Sequence, residues 1–211
     1  MKRSSHAKAL VCMLVFSMAA FAGEDPGVAR QIPDIIGRRV TLDYTAAARG
    51  LHKFAAQGDF FAQFNLAMAY ANGQGVPQDD TKAARWLRKS AEQGFLAAQA
   101  ELGDYYANGR GVPQDDAQAA VWYRRAAEQG DVIALFNLGM AYANGQGVPQ
   151  DNAQAVEWLC KAAERGEVRA QYNLGVFYTN GRRVPKDDIK AAMWFRKAAE
   201  QGYEPVREIR R

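Results

Sequence analysis

The sequence predicts an all-α solenoid of four tandem helix-pair repeats, because three kinds of residue recur at intervals of 36 positions. A fixed period of this length is typical of repeat architectures. We therefore place the full repeats at 59–94, 95–130, 131–166 and 167–202. The recurring residues are Gly58, Gly94, Gly130, Gly166 and Gly202, then Pro77, Pro113, Pro149 and Pro185, and all four tryptophans, Trp86, Trp122, Trp158 and Trp194.

The first half of each repeat predicts an α-helix. In repeat one, Ala62, Leu66 and Tyr70 recur at i, i+4 and i+8, which places them on one helical face. The pair Asn72-Gly73 ends this helix, because glycine adopts the left-handed conformation past a helix end at little cost. The Val-Pro that follows cannot continue a helix. The other three repeats carry the same pattern.

The second half of each repeat predicts another helix, which begins at an aspartate. An aspartate there accepts hydrogen bonds from free amides and favours the positive end of the helix dipole. Ala83, Trp86, Leu87 and Ala91 then form the stripe expected to be buried. The four predicted helix starts are Asp79, Asp115, Asp151 and Asp187.

One position in the first helix is always small, which predicts close contact between the paired helices. Glycine inside a helix costs about 1 kcal/mol relative to alanine, so its repeated presence indicates a packing requirement. A single helix pair cannot bury its apolar face, and stacked neighbours form the continuous core. The small residues are Ala67, Gly103, Gly139 and Gly175.

The flanking segments resemble incomplete repeats. Residues 44–58 align with a second helix in which Gly50 replaces the tryptophan, so we interpret them as a degenerate half-repeat. Residues 203–211 align with a truncated, polar first helix and form a C-terminal cap. Residues 23–43 show no period and are interpreted as an arm or linker.

Residues 1–22 predict a signal peptide. Lys2, Arg3 and Lys8 are positive, residues 9–20 are apolar, and the stretch ends in Ala-Phe-Ala. Cleavage between Ala22 and Gly23 would give a periplasmic or secreted protein. A retained anchor is the alternative, and it is disfavoured because a bilayer span needs about 20 apolar residues. We expect no membrane span in the mature chain.

The charge balance argues against a nucleic-acid partner. The chain has 27 Lys and Arg against 23 Asp and Glu, and three of the basic residues lie in the predicted signal peptide. The mature balance is therefore 24 against 23. Nucleic-acid binding usually requires a clearly basic face, so no nucleic acid is expected as partner.

The predicted mature chain is poor in residues that carry catalysis or bind metals. It has one histidine (His52), one cysteine (Cys160) and one serine (Ser90). Nucleophilic relays and metal sites need several such groups together, so we expect no enzyme, no metal and no cofactor. A hydrolase that uses two carboxylates remains an alternative, although helix capping explains the repeated aspartates.

The repeat resembles the Sel-one-like repeat, a relative of the tetratricopeptide repeat. Its first half reads A-x3-L-[AG]-x2-Y-x2-G-x-[GR]-V-P, and its second half reads A-x2-W-x2-[KRS]-[AS]-A-E-x-G. Arg183 departs from the glycine at Gly75, Gly111 and Gly147. The resemblance covers 59–202. It implies a right-handed α/α superhelix whose first helices line a concave groove, and an adaptor or scaffold role, often in the bacterial cell envelope.

By analogy with tetratricopeptide repeats, a second stripe on each first helix lines that groove. We call it the groove stripe: it takes positions 61, 65, 68 and 72 of repeat one and their equivalents. The alternatives are that its asparagines bond between repeats and its apolar residues join the core. The predicted partner-binding residues are Phe61, Asn65, Met68, Glu101, Asp104, Asn137, Met140, Arg169 and Asn173.

Cys160 is predicted to be at least partly exposed, because it aligns with arginines in the other repeats. An odd thiol in an exported protein suggests an intermolecular disulfide, and the alternative is a thiol without function. Taken together, the sequence predicts an exported scaffold that binds a partner protein or peptide of the cell envelope. A cell-wall or β-lactam hydrolase and a purely structural spacer are the alternatives.

Overall fold

The computed structural model describes residues 44–181 and 184–203, and every regular element in these ranges is an α-helix. The all-α prediction is confirmed. The predicted signal peptide, the arm, Arg183 and the cap after Tyr203 lie outside the described residues. The helices are α1 (Tyr44–Ala56), α2 (Phe60–Asn72), α3 (Asp80–Glu92), α4 (Leu96–Asn108), α5 (Asp116–Glu128), α6 (Val132–Asn144), α7 (Asn152–Glu164), α8 (Val168–Asn180) and α9 (Asp188–Glu200).

The chain forms two compact units, in each of which consecutive helices pack as in a repeat solenoid. The first unit runs to Tyr105 and includes 109–113, and the second comprises 106–108 and the chain from Gln114. In the first unit α1 packs on α2 and α2 on α3. In the second unit α5, α6, α7, α8 and α9 pack in succession.

The helix ends confirm the predicted turn chemistry. Asp79 Oδ1 accepts from the backbone N–H of Lys82 at 2.9 Å, and Asp115, Asp151 and Asp187 cap their helices in the same way. Gly73 ends α2 in the left-handed conformation at φ 67°. A cap of this kind satisfies amides that the helix itself leaves without partners.

The predicted close contact between paired helices is also confirmed. A Cβ on Gly139 would lie 2.8 Å from Leu159 Cγ, and one on Gly175 would lie 2.6 Å from the ring of Phe195. A Cβ at either position would displace the facing side chain, which explains why the cost of glycine in helix propensity is tolerated.

Each repeat also joins its predecessor through a side chain that bonds to backbone. Gln63 Nε2 donates to the carbonyl of Ala55 at 3.1 Å, and its Oε1 accepts from Gln93 Nε2 at 2.8 Å. In repeat three Leu135 takes the place of this glutamine, and the residue aligned with Gln93 is Arg165. The Arg165 guanidinium then donates to the carbonyl of Gly130 at 2.8 Å, so a contact with the preceding repeat is preserved.

The degenerate half-repeat packs as a genuine helix. Leu51 and Ala55 of α1 are buried against Leu66 of α2, and Trp86 of α3 packs on the same cluster. Ser90 is fully buried, and its hydroxyl donates to the carbonyl of Phe60 at 2.7 Å. The serine therefore adds a hydrogen bond between α3 and α2 that the alanines at this position cannot make.

Candidate functional site

The groove stripe lies at the surface for most of its length. In α2, Phe61 and Met68 are half-buried, and in α6 Asn137 and Met140 are half-buried too. Ile133, at the start of the stripe in α6, is 43% exposed. Since a buried stripe would be closed to any partner, this partial exposure is the property that partner binding requires.

Asn65 is the exception, and its assignment as a partner-binding residue is corrected. It is 3% exposed, and its Nδ2 donates to the carbonyl of Phe61 at 2.9 Å. Asn173 makes the same bond to Arg169 at 2.9 Å but remains half-buried. These two amides bond within their own helices, so the alternative that they bond between repeats does not apply to them.

In the second unit, the stripe residues Asn137 and Met140 line a hollow of about 280 Å³ between α5 and α6. We call it the α5–α6 hollow. Side-chain amides and one carboxylate dominate its polar wall, while Tyr123 and Met140 supply apolar surface. The lining side chains with polar groups, Tyr123 apart, are Asn108, Gln114, Asp116, Asn137 and Gln146.

The charged members of the stripe already have interaction partners. Glu101 and Asp104 on α4 are half-buried, and each makes a polar or electrostatic interaction. Arg169 on α8 bonds Glu167 at 2.6 Å and lies with its guanidinium 4.4 Å above the ring of Phe136. A ligand that used these charges would exchange these contacts.

Aromatic residues gather at the start of α2. The rings of Phe60, Phe61 and Phe64 have centroids 5.2–6.1 Å from that of Phe95. Phe95 occupies the position at which Asp59 and its equivalents cap the first helix, and a phenylalanine side chain has no acceptor for that bond. Sequence reasoning missed this cluster, and the loss of the aspartate at one repeat was the available signal.

Cys160 is half-buried, as expected from its alignment with arginines. Burial raises the pKa of its thiol, the carboxylate of Glu164 raises it further, and Lys190 lowers it. The reactive form of a cysteine is the thiolate, so a raised pKa leaves a smaller fraction of this thiol in the reactive form. The intermolecular disulfide stays a prediction.

The carboxylates of the described residues bear on the hydrolase alternative. The discriminating feature of the hydrolase alternative is a pocket that holds two carboxylates, one of them with a perturbed pKa. The α5–α6 hollow contains one carboxylate, Asp116. Backbone hydrogen bonds lower the pKa of the helix caps Asp79 and Asp187, which keeps them ionised. Among residues 44–181 and 184–203, no group of three or more His, Cys, Asp or Glu could hold a metal ion.

The family model of the Sel1 repeat matches the chain four times, at residues 61–95, 96–131, 132–167 and 168–203. The chain belongs to the Sel1 repeat family. Each match begins one or two residues after a repeat boundary drawn from the glycine spacing. Sel1 repeats generally mediate protein–protein interactions and serve as scaffolds without catalysis.

Solved structures of other Sel1 repeat proteins resemble this one. A protective antigen from uropathogenic Escherichia coli, which has the same repeat fold, is 35% identical with a TM-score of 0.75. The match covers 89% of this chain and 40% of that protein. A Sel1 repeat protein from Oxalobacter formigenes is 29% identical with a TM-score of 0.79, over 97% of this chain and 78% of that one. A search of curated protein sequences found no match.

This Sel1 repeat protein has further contacts that its sequence did not reveal. A basic side chain three residues after each tryptophan lies over the indole ring, at 4.2–4.6 Å from its centroid. The spacing i, i+3 was the available signal, because such residues share a helix face. Within the described ranges, no helix has both the length and the apolar character that crossing a membrane demands.

Proposed function

We propose that this Sel1 repeat protein is an exported scaffold that binds a segment of a partner protein, or a peptide, in the α5–α6 hollow. The observation that carries the proposal is the position of Asn137 and Met140, two groove-stripe residues that line this hollow. The family's general role in protein interaction supports it.

The chemistry of the hollow suits a stretch of polypeptide. A carboxamide offers both a donor and an acceptor, which are the groups that a peptide backbone pairs with. Methionine and tyrosine add adaptable apolar contact. The volume of about 280 Å³ is near the lower end of the ligand-pocket range, so it accommodates a few residues rather than a folded domain.

Ile133 extends this surface along α6. It precedes Asn137 by four residues and Met140 by seven, which places all three on one helix face. A single exposed apolar residue is ordinary on a protein surface. Its alignment with the hollow gives the partner an apolar contact beyond the polar wall.

A crosslinking experiment in cells tests the site. A photoreactive amino acid replaces Met140, and the control places it at Lys197, an exposed residue of α9. We expect one discrete partner from position 140 and none from 197. Capture at 197 alone, or no capture at 140, would overturn the proposal.

A double variant separates binding from folding. Asn137→Ala with Asn173→Ala removes two half-buried amides of the stripe. We expect partner capture to fall while the melting temperature changes by less than about 4 °C, which corresponds to roughly 1 kcal/mol for a chain of this size. A larger loss of stability would favour a structural role for these asparagines.

Export is the second part of the proposal, and it rests on residues 1–22. Their positive start, apolar run and Ala-Phe-Ala end match a signal peptide. N-terminal sequencing of protein from the cell envelope or the medium tests this. We expect Gly23 as the first residue, and a mature chain that retains residues 1–22 would contradict it.

A further inference from the structure

A second candidate site lies in the first unit, along α3. It is a cleft of about 700 Å³, which we call the cationic cleft. Its walls are the ring of Trp86, the ring of Tyr70 and the loop at Val112-Pro113. Four cationic side chains and one carboxylate, Glu92, also line it. The cations are Lys82, Arg85, Arg88 and Lys89.

The cations form a line along α3. Lys82, Arg85 and Lys89 are spaced by three and four residues, which places them on one face of the helix. At 1.5 Å per residue the row spans about 10 Å. A compact anion such as phosphate would contact only part of this row, whereas an extended chain places alternate side chains about 7 Å apart. An extended segment with acidic residues at alternate positions therefore matches the charges.

Two of these cations, Lys82 and Lys89, make surface contacts that a ligand could replace. Lys82 lies 3.1 Å from Asp79, and both side chains are substantially exposed. Ion pairs of this kind contribute little to stability. Lys89 Nζ lies 4.4 Å from the centroid of the Trp86 ring, and His52 of α1 packs against the same ring in a T-shaped arrangement. The rings of Trp86 and Tyr70 give a ligand apolar surface beside the charges.

The next repeat provides an internal comparison. The same repeat positions, one period later, form a crevice of about 410 Å³ in the second unit. Val121 stands there in place of Arg85, and Gln118 in place of Lys82. The crevice keeps Arg124 and Arg125 with Glu128. It therefore has half as many cations as the cationic cleft and the same number of carboxylates. The larger number of cations therefore distinguishes repeat one from repeat two.

We propose that the cationic cleft binds an extended acidic peptide segment of a partner protein, with carboxylates at alternate positions. The site is separate from the α5–α6 hollow and does not depend on its function. Nucleic acid is disfavoured because the chain without residues 1–22 is almost neutral and Glu92 faces the cleft. A nucleic-acid strand binds mainly through cations that neutralise several of its phosphates, which calls for a larger excess of positive charge.

The test uses a peptide of about eight residues with glutamate at alternate positions, labelled with an uncharged dye, and its glutamine counterpart. Fluorescence anisotropy with the full mature chain measures both. We expect the glutamate peptide to bind at least about tenfold more tightly, and to weaken as ionic strength rises from about 0.05 M to 0.5 M. Equal binding of the two peptides would overturn the proposal.

Exchanging residues between the two repeats locates the site. Lys82→Gln with Arg85→Val gives repeat one the residues of repeat two. The loss of two exposed ion pairs with peptide carboxylates should weaken binding about tenfold. Gln118→Lys with Val121→Arg makes the reverse change and should raise the peptide bound per chain from one to two. Circular dichroism checks that each variant is folded. Unchanged affinity in the first variant would place the site elsewhere.

A third probe decides the class of polyanion. An oligothymidylate of matched length is titrated under the same conditions. We expect it to bind more weakly than the glutamate peptide. Tighter binding of the oligonucleotide, lost in the Lys82→Gln, Arg85→Val variant, would overturn the peptide assignment and make the cleft a nucleic-acid site.

Discussion

Replacing Tyr105 with phenylalanine should stabilise the protein, because its hydroxyl is buried without a hydrogen bond. The side chain is 1% exposed, and among the described residues no group accepts from or donates to its oxygen. The ring itself is well held, with the Arg110 guanidinium 4.7 Å from its centroid. Phenylalanine keeps the ring and this contact, and Phe177 occupies the same position in repeat four.

The size of the effect follows from the cost of a buried polar group without a partner. That cost is about 1–3 kcal/mol, and we take the lower end because removing the oxygen leaves a small gap. A gain of about 1 kcal/mol raises the melting temperature by about 2–4 °C in a chain of this length. Urea and thermal denaturation measure it.

Tyr142 provides the control, since its hydroxyl has a partner. The Arg124 guanidinium donates to it. Tyr142→Phe should therefore lower the free energy of unfolding by roughly 1 kcal/mol, a change opposite in sign to that of Tyr105→Phe. If Tyr105→Phe instead lowered the free energy of unfolding by 1 kcal/mol or more, the hydroxyl would have a hydrogen-bond partner and the reasoning would be refuted.

Alkaline titration tests the same feature independently. Burial raises the pKa of Tyr105 to about 12; Asp80 and Glu101 also raise it, and Arg110 opposes them. The unfolded value is about 10. The contribution of the protonated phenol to stability is therefore full below pH 10 and is lost as the pH rises through 12. Tyr105→Phe should reduce this alkaline loss of stability.

Four further outcomes are expected. Gly175→Ala places a Cβ 2.6 Å from the Phe195 ring, so overpacking of about 1–3 kcal/mol outweighs a propensity gain of about 1 kcal/mol. Gly50→Ala, which meets no atom within 4 Å, should be neutral or stabilising in the same denaturation assay. A hydrogen bond from the Lys190 amide lowers the pKa of Asp187. The contribution of its carboxylate to the free energy of unfolding is therefore present above pH 3.9 and is lost as the pH falls through the lower folded value. Asp187→Asn should flatten this acid dependence in denaturation at pH 2–5. Iodoacetamide should alkylate Cys160 faster in urea than in the folded protein, because its folded pKa is raised; equal rates would contradict this.

The fold was predictable because each repeat contains the residues that start and end its two helices. Helix ends are determined by local chemistry, such as the amide bonds to Asp79 and the left-handed Gly73. Four copies of one pattern then remove most ambiguity about helix lengths. The close approach at Gly139 was also predictable, because a glycine kept inside a helix needs a packing reason.

The candidate site was only partly predictable, because exposure depends on neighbours that the repeat pattern does not specify. Asn65 and Asn137 are equivalent in sequence, yet one is buried and the other lines a hollow. Residues near Asn137 in that hollow, such as Gln114, come from a different repeat. The cationic cleft was missed for the same reason, since it combines α1, α3 and a loop that follows α4.

The way each repeat holds its predecessor has a consequence for how such arrays change in evolution. Gln63 and Arg165 reach back to carbonyls of Ala55 and Gly130, and Gly147 leaves room for the backbone at Asp116. Because every residue has the same main-chain oxygen, such a contact between repeats, here called a joint, places little constraint on the sequence of the neighbouring repeat. The Gln63–Gln93 pair also lies inside one 36-residue copy. Duplication, loss or reshuffling of whole copies would therefore carry intact joints along, and the surface residues are free to diverge from copy to copy.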